Sequence, residues 1–534
     1  MSGEFDADIE RIHKKLLKVR ERTDLKLPRS KYLRDSIVGF DGTEEPLRVR
    51  YYQIQMVVHM MAMTRFVNGE DTGLGKTFET IMTLCQIWEK NPNQKVLILT
   101  SKSALSQWVS EFVKFTKGIR VLLSRGDPDK RIRTRVKFIN ATGPTVMVSG
   151  YKSLMNDFSE VQDWEDHIVV FDECTVFKNP KTQVHQVCKH ISDRAARAYG
   201  LTATLIKNKL FDGFGIYKVI KDDVFSTKTK FMTLYCVTQL QKIPGKKFKI
   251  PIVVGHSQRH IRTFRERISP FFLGRAKFEV ASELPVLTTR QVLVDLTHEQ
   301  ETAYNDALVG VLRVGGGETI YTDKLTAIIY CQQIANHLAL LGLPGGSEKE
   351  DTLLDFLTEG EFADENVIIY TRFKKMVDHL MPLVQQHNVP AVRITGDEND
   401  KARKEAMRKF QSPGEETRVV FITDAGSEAI NLQSAKVIIF YDTPWAAGQY
   451  LQILGRMIRI GSLHDRVYAI HLVARGTVDV RTVNKMRGGL RLIEAALGKR
   501  IKGELESDII IRVEDEISDI FSGLREDALQ KNRT

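Results

Sequence analysis

Two clusters of short β-branched runs, each alternating with amphipathic helical stretches, predict an α/β chain. The architecture expected is two doubly wound parallel-sheet lobes with helical insertions between them. The first cluster holds Val96–Leu99, Thr145–Val148 and Ile168–Phe171. The second holds Val367–Tyr370, Val419–Ile422, Val437–Phe440 and Val467–Ile470. At 534 residues the chain exceeds one ordinary hydrophobic core and has room for two. Between about Ile206 and Glu350 such runs thin out and basic helical segments dominate, up to the loop Gly342–Asp351.

The elements follow in order. Residues 1–45 open with a helical pattern that places Arg11, Lys14, Lys15, Lys18 and Arg22 on one face and Ile9, Ile12, Leu16 and Val19 on another. Such a helix packs its apolar stripe on a lobe and turns its cations to solvent or to phosphates. The first lobe is expected over 46–275. Near its end, 241–254 reads as a hairpin around Pro244-Gly245 with a cationic tip. A helical insertion or linker is expected over 276–349, the second lobe over 350–505, and an acidic tail over 506–534.

Composition narrows the class. The apolar share of 42% and the charged share of 27% are those of a soluble globular protein. No run has the length of a membrane helix, and the N-terminal residues lack a secretory core. Five cysteines with no CxxC pair argue against a disulfide framework or a zinc module and suit a reducing cytoplasm. A net charge of +11 leans toward a polyanionic partner.

Three motifs carry chemistry. The first is NGEDTGLGKT, from Asn68 to Thr77, ahead of a helical run. A glycine-rich turn opening a helix aims backbone N–H groups at phosphate oxygens. Lys76 would reach the outer phosphates and the Thr77 hydroxyl would ligate Mg²⁺, although Glu70 stands where the strict pattern has glycine. The second motif is Asp172-Glu173 at the carboxyl end of an apolar strand. There Asp172 suits metal binding and Glu173 suits orienting and deprotonating a water. The third is QILGRMIRIG, from Gln452 to Gly461, where helical spacing would put Arg456 and Arg459 on one face as arginine fingers.

These blocks, in this order, resemble the motifs of superfamily-two helicases, and in detail those of the Swi/Snf-related DNA translocases. EDTGLGKT stands where that group has DEMGLGKT. DECTVFKNPKT (Asp172–Thr182) stands where it has DEAH, a basic residue and KNPKT. LTATL (Leu201–Leu205) stands for LTGTP, and Arg50–Gln53 resembles the RPYQ block whose glutamine recognises adenine. Ile98–Ser103 with Gln107-Trp108, and Ser149–Tyr151, resemble its DNA-contacting motifs. Gln332–His337 resembles its RQICNHP block, Val367–Phe373 the opening strand of its second lobe, and Thr423–Leu432 its fifth motif. The resemblance runs from about Val49 to Gly498. Departures from it are Cys174 and Thr175 after the acidic pair, Ala429 in the fifth motif, and Gly274 where a second arginine is usual.

The resemblance implies RecA-like lobes, ATP and Mg²⁺ as cofactors, and double-stranded or branched DNA as partner. ATP would be held by Tyr52, Gln53, Gly73, Gly75, Lys76 and Thr77, and the metal by Thr77 and Asp172. Glu173, Arg456 and Arg459 would be catalytic, while Thr202, Thr204 and Gln452 would couple hydrolysis to movement. Ser103, Tyr151, Thr371 and Gly426 would follow the DNA backbone. The expected activity is a DNA-stimulated ATPase that translocates on duplex DNA and remodels forks, junctions or bound proteins. A strand-separating or branch-migrating helicase, or the motor subunit of a restriction or defence assembly, is the alternative. Separating helicases often carry a wedge hairpin between their fifth and sixth motifs, and the stretch from Leu432 to Gln452 leaves no room for a long one. The compact form resembles bacterial or bacteriophage members, which would work in the cytoplasm of a bacterial or phage-infected cell.

Overall fold

The computed structural model describes residues 2–38, 43–206, 209–242, 249–280, 284–314, 318–321, 324–412, 415–426, 430–458, 462 and 464–498. The chain divides into two units, residues 1–280 with 493–500 and residues 281–492 with 501–534.

The first unit is built on a seven-stranded, wholly parallel sheet. Its spatial order is Phe272–Leu273, Arg65–Asn68, Arg197–Leu201, Ile168–Asp172, Lys95–Thr100, Thr145–Gly150 and Arg120–Ser124. The three central runs anticipated from sequence are fully buried, because helices cover both faces of a parallel sheet and favour apolar residues there. The four other strands escaped notice. Each is short or carries a charged or small residue, as in Arg197-Ala-Tyr-Gly-Leu, so no apolar run marks it.

Helix Ser2–Arg20 packs Leu16 inward and joins the unit through Arg20, whose Nε donates to His59 Nε2 at 3.2 Å. Its outward cations are partly spent on its own acids, Arg11 on Asp8 and Lys14 on Glu10, both at 2.9 Å. Cys236–Lys242 pairs antiparallel with Lys249–His256 as a hairpin, with a bulge between Val253 and Gly255. The Pro244-Gly245 turn lies outside the described residues, as does the tail 506–534.

The second unit is a six-stranded parallel sheet in the order Val286–Val294, Arg466–Ala474, Val437–Phe440, Val367–Tyr370, Val419–Ile422, Ala391–Ile394. Helices Glu348–Thr358 and Lys374–Gln386 cover one face with Leu353, Leu357, Met376, Val377, Leu380 and Val384. The stretch read as a helical insertion, 276–349, differs from that expectation. It does carry the helices His298–Leu308 and Lys324–Asn336, yet Val286–Val294 is a strand of this sheet, paired along its whole length with Arg466–Ala474. The sheet therefore opens, in chain order, well before Val367. An edge strand is half exposed, and its Thr288, Thr289, Arg290 and Gln291 hide the apolar signal.

Candidate active site

Three adjacent strands of the first sheet, Arg65–Asn68, Arg197–Leu201 and Ile168–Asp172, lead into the glycine-rich loop, the LTATL segment and the acidic pair. All three motifs thus leave the same carboxyl edge, where doubly wound sheets bind ligands. The loop turns through Gly73 (φ 90°) and Gly75 (φ 101°), left-handed conformations that glycine adopts without a Cβ clash. A Cβ at Gly75 would also lie 2.6 Å from Gln53 Nε2. Gly75 caps helix Lys76–Lys90, whose first turn holds Lys76 and a half-buried Thr77. Lys76 Nζ donates to the carbonyls of Glu70 (2.8 Å) and Asp71 (3.2 Å), so the ammonium lies across the loop.

Gln53 braces that loop. Its Nε2 donates to Leu74 O at 3.1 Å, and its Oε1 accepts from Arg50 N at 3.0 Å. Tyr52 is buried behind the loop, its ring under the Arg275 guanidinium (5.7 Å) and its carbonyl accepting from Arg275 at 2.8 Å. Glu70, the departure from the strict loop pattern, is buried and ion-paired with Arg275, whose Nε donates to it at 2.7 Å. Gly274 has a packing reason as well. A Cβ there would sit 2.6 Å from Gly69 O, so the segment after Phe272–Leu273 could not lie against the loop with a side chain at 274.

Beneath the loop, Glu79 is buried and accepts from Asn68 Nδ2 at 2.8 Å. Burial, and then the nearby Glu70 carboxylate, push its pKa from 4.5 up to about 8, against the pull of Asn68, Arg275 and Lys76. Because the folded value is raised, folding takes up a proton. The resulting stability is complete below about 4.5 and is lost as pH rises through about 8. The melting temperature of the wild type should therefore fall, relative to that of Glu79→Gln, as the pH rises toward about 8. Parallel melting profiles for the two proteins would mean that Glu79 is already ionised at neutral pH.

At the acidic pair, Asp172 Oδ2 accepts from Thr100 Oγ1 (2.7 Å) and Trp108 Nε1 (2.8 Å), which fixes the carboxylate. Its carbonyl accepts from Tyr151 OH at 2.7 Å. Glu173 follows in a left-handed conformation (φ 50°, ψ 53°), a strained geometry for a residue with a side chain that turns it off the strand axis. Cys174 is buried against Gly200, where a Cβ would come 3.1 Å from its Sγ, so a compact residue fits there. Thr202 and Thr204 are buried. Thr202 N donates to Asn68 O and Thr202 Oγ1 accepts from Thr204 N, each at 3.0 Å. This ties LTATL to the strand that feeds the loop.

The residues expected at DNA are placed less uniformly. Ser103 is half-buried, its Oγ 2.8 Å from Ser101 Oγ, whereas the Tyr151 hydroxyl is committed to Asp172. In the second unit Thr371 is fully buried and donates to Asp442 Oδ2 at 2.6 Å. At Gly426 a Cβ would come 1.8 Å from Ile394 O, so only glycine fits, and its carbonyl accepts from Arg403 at 3.0 Å. Gln452 is half-buried and Arg456 buried on helix Ala447–Met457. Arg456 and Arg459 are expected on one helical face, and only the first of them can be placed. The helix ends at Met457, Ile458 is extended (φ −82°, ψ 97°), and Arg459 lies outside the described residues. Sequence reasoning gave no role to Thr100, Glu79 or Arg275, which matter through their partners.

Residues 348–461 match the model of the helicase conserved C-terminal domain, and residues 52–340 match that of the SNF2-related domain. The chain is 25% identical over 426 residues to an uncharacterized ATP-dependent helicase of Mycoplasma pneumoniae, covering 77% of this chain and 38% of that one. It is 26% identical over 472 residues to mouse Chromodomain-helicase-DNA-binding protein 1-like, covering 84% and 50%. The chain thus spans half or less of the length of these relatives. Among solved structures it is similar to the Sulfolobus solfataricus SWI2/SNF2 ATPase core in complex with dsDNA, at 23% identity and a TM-score of 0.42, covering 88% of this chain and 96% of that one. The match to the SNF2-related domain takes in more than half of the chain, and the chain belongs to that family.

Proposed function

We propose that this chain is a DNA-dependent ATPase that translocates on duplex DNA and remodels branched DNA or proteins bound to it. The observation that carries the reading is the convergence of the glycine-rich loop, the acidic pair and LTATL on three neighbouring strand ends. The loop fits a nucleotide. Two left-handed glycines and a 15-residue helix starting at Lys76 aim N–H groups at phosphate oxygens. Lys76 and Thr77 would hold ATP together with Tyr52, Gln53, Gly73 and Gly75, and Thr77 with Asp172 would hold Mg²⁺. The metal, when bound, supplies charge neutralisation on the phosphates. Thr100 and Trp108 keep the Asp172 carboxylate oriented, and Glu173 accepts the proton of the attacking water. Arg456 and Arg459 supply cations for the transferred phosphoryl group. Thr202, Thr204 and Gln452 link hydrolysis to movement, while Ser103 and the backbone around Tyr151, Thr371 and Gly426 follow DNA phosphates.

A DNA partner is supported by the relative named above as a DNA-binding protein. Tracking rather than strand separation is supported by residues 430–458, where the strand Val437–Phe440 runs through a short loop into helix Ala447–Met457 with no hairpin between. Five buried thiols outside any disulfide suit a reducing cytoplasm, and a bacterial setting is supported by the Mycoplasma relative. The test sets triplex displacement beside strand displacement at equal ATP, with ATPase rates on duplex, forked, single-stranded DNA and RNA. Triplex displacement with little unwinding of long duplex is the expected result. Efficient unwinding without triplex displacement would make it a strand-separating helicase, and stimulation by RNA alone would remove DNA as the partner.

A further inference from the structure

We propose that Lys349 is a positioning residue: its buried ammonium locks Asn336 and Asp442 into the arrangement that fixes the buried Thr371 and, beside it, the half-buried Arg372. Lys349 lies in the first turn of helix Glu348–Thr358 and is almost wholly buried. It donates to Asn336 Oδ1 (3.0 Å), Tyr441 O (3.0 Å) and Asp479 Oδ2 (2.5 Å), which uses all three ammonium hydrogens on three separate segments. Ser347 Oγ (2.8 Å) and Tyr441 OH (3.2 Å) both donate to Asn336 O, so the end of helix Lys324–Asn336 is held from two sides.

The second half of the chain of contacts starts at Asn336. Its Nδ2 donates to Asp442 Oδ2 at 3.0 Å. Asp442 accepts as well from Thr371 Oγ1 (2.6 Å) and from Arg372 N (3.1 Å). Arg372 in turn donates from NH1 to Gln332 Oε1 (3.0 Å) and lies over the Trp445 ring at 5.2 Å. Two regions that sequence assigns to separate motifs, Gln332–His337 and Val367–Phe373, are therefore one hydrogen-bonded body with Lys349 at its centre. A core that needs only stability is filled as well by apolar side chains as by a buried ion pair. A lysine spent on three segments instead fixes their relative positions.

Asp442 makes the arrangement sensitive to charge. Burial raises its pKa above the ordinary carboxylate value, and Thr371, Arg372 and Lys349 oppose that rise. Asp479 accepts from Lys349, and Tyr370, on the neighbouring strand, is engaged with Asp424. In the same helical turn as Lys349, Glu350 is 2.5 Å from His379 Nε2 and 3.5 Å from His337 Nε2. That trio is a hydrogen-bonded cluster and not a metal site. His337 Nδ1 accepts from Ala339 N (3.0 Å), so the hydrogen of the neutral ring sits on Nε2, the atom a metal would need. Without Lys349, Asp442 takes up a proton more readily. A protonated carboxyl cannot accept from all of its present donors, and the Thr371–Arg372 segment comes loose.

The functional consequence rests on the DNA-motor reading, while the positioning does not, so two readouts separate them. In Lys349→Met at about pH 7, hydrogen-exchange protection of the peptide spanning Thr371 and Arg372 should fall about tenfold or more, and the DNA concentration for half-maximal ATPase should rise about tenfold with the KM for ATP little moved. Protection in Lys349→Met should recover as the pH is raised, because ionisation restores the Asp442 acceptors, and Lys349→Arg should remain near wild type. Asp442→Asn should reproduce the loss without recovery at high pH, and it serves if the methionine variant does not fold. Unchanged protection in Lys349→Met or in Asp442→Asn, or a deficit in Lys349→Met indifferent to pH, overturns the proposal. Lost protection in a protein whose wild type ignores DNA would leave the positioning intact and sink the motor reading.

Discussion

Glu173→Gln should bind ATP about as tightly as the wild type and hydrolyse it more slowly by about 10²-fold to 10⁴-fold, the usual contribution of a positioned general base. The amide keeps the size of the side chain and the left-handed backbone at residue 173, and it removes only the group that accepts the proton of water. Lys76→Ala should act at the other end of the reaction. The ammonium that spans the Glu70 and Asp71 carbonyls is the charge offered to the outer phosphates, and its loss should weaken ATP binding itself. Nucleotide affinity measured by equilibrium titration, beside single-turnover hydrolysis, separates the two. An equal loss of affinity in both variants would contradict the separate roles.

Arg456→Ala should lower kcat by about 10³-fold, the lower end of what an arginine supplies to phosphoryl transfer. The structure makes the test clean in one respect. The main chain of Arg456 accepts from Leu432 N at 3.0 Å, a bond that alanine keeps, so the loss reports on the guanidinium. Arg456→Lys should recover little, because a point charge does not reproduce the planar fork. Arg459→Ala should fall by a similar factor. The measurement is steady-state ATPase at saturating DNA, and near-normal turnover in both alanine variants would remove the second unit from the chemistry.

Much of the site could be read in advance because its signals are local. NGEDTGLGKT encodes its own turn, since glycine at 73 and 75 is what permits positive φ there, and the helix after it needs no distant partner to be recognised. Asp172-Glu173 declares itself by standing behind four fully buried apolar residues. The parallel α/β class followed from the same fact, because a strand covered on both faces is mostly apolar.

Only the tertiary structure could decide the rest. The role of Glu70 depends on Arg275, more than 200 residues away, and the need for glycine at 274 arises from the backbone of Gly69. The strand Val286–Val294 is defined by its partner Arg466–Ala474, since half-exposed edge positions tolerate polar residues and erase the pattern. Spacing cannot say where a helix stops, and helix Ala447–Met457 stops one residue after Arg456. Lys349 and Asp442 carry no signal in the sequence, and nothing there links them to Asn336 or Thr371. Folding places them within hydrogen-bond reach of one another, and burial turns each contact into a constraint, because an unpaired polar group has no water there to replace the partner it lacks.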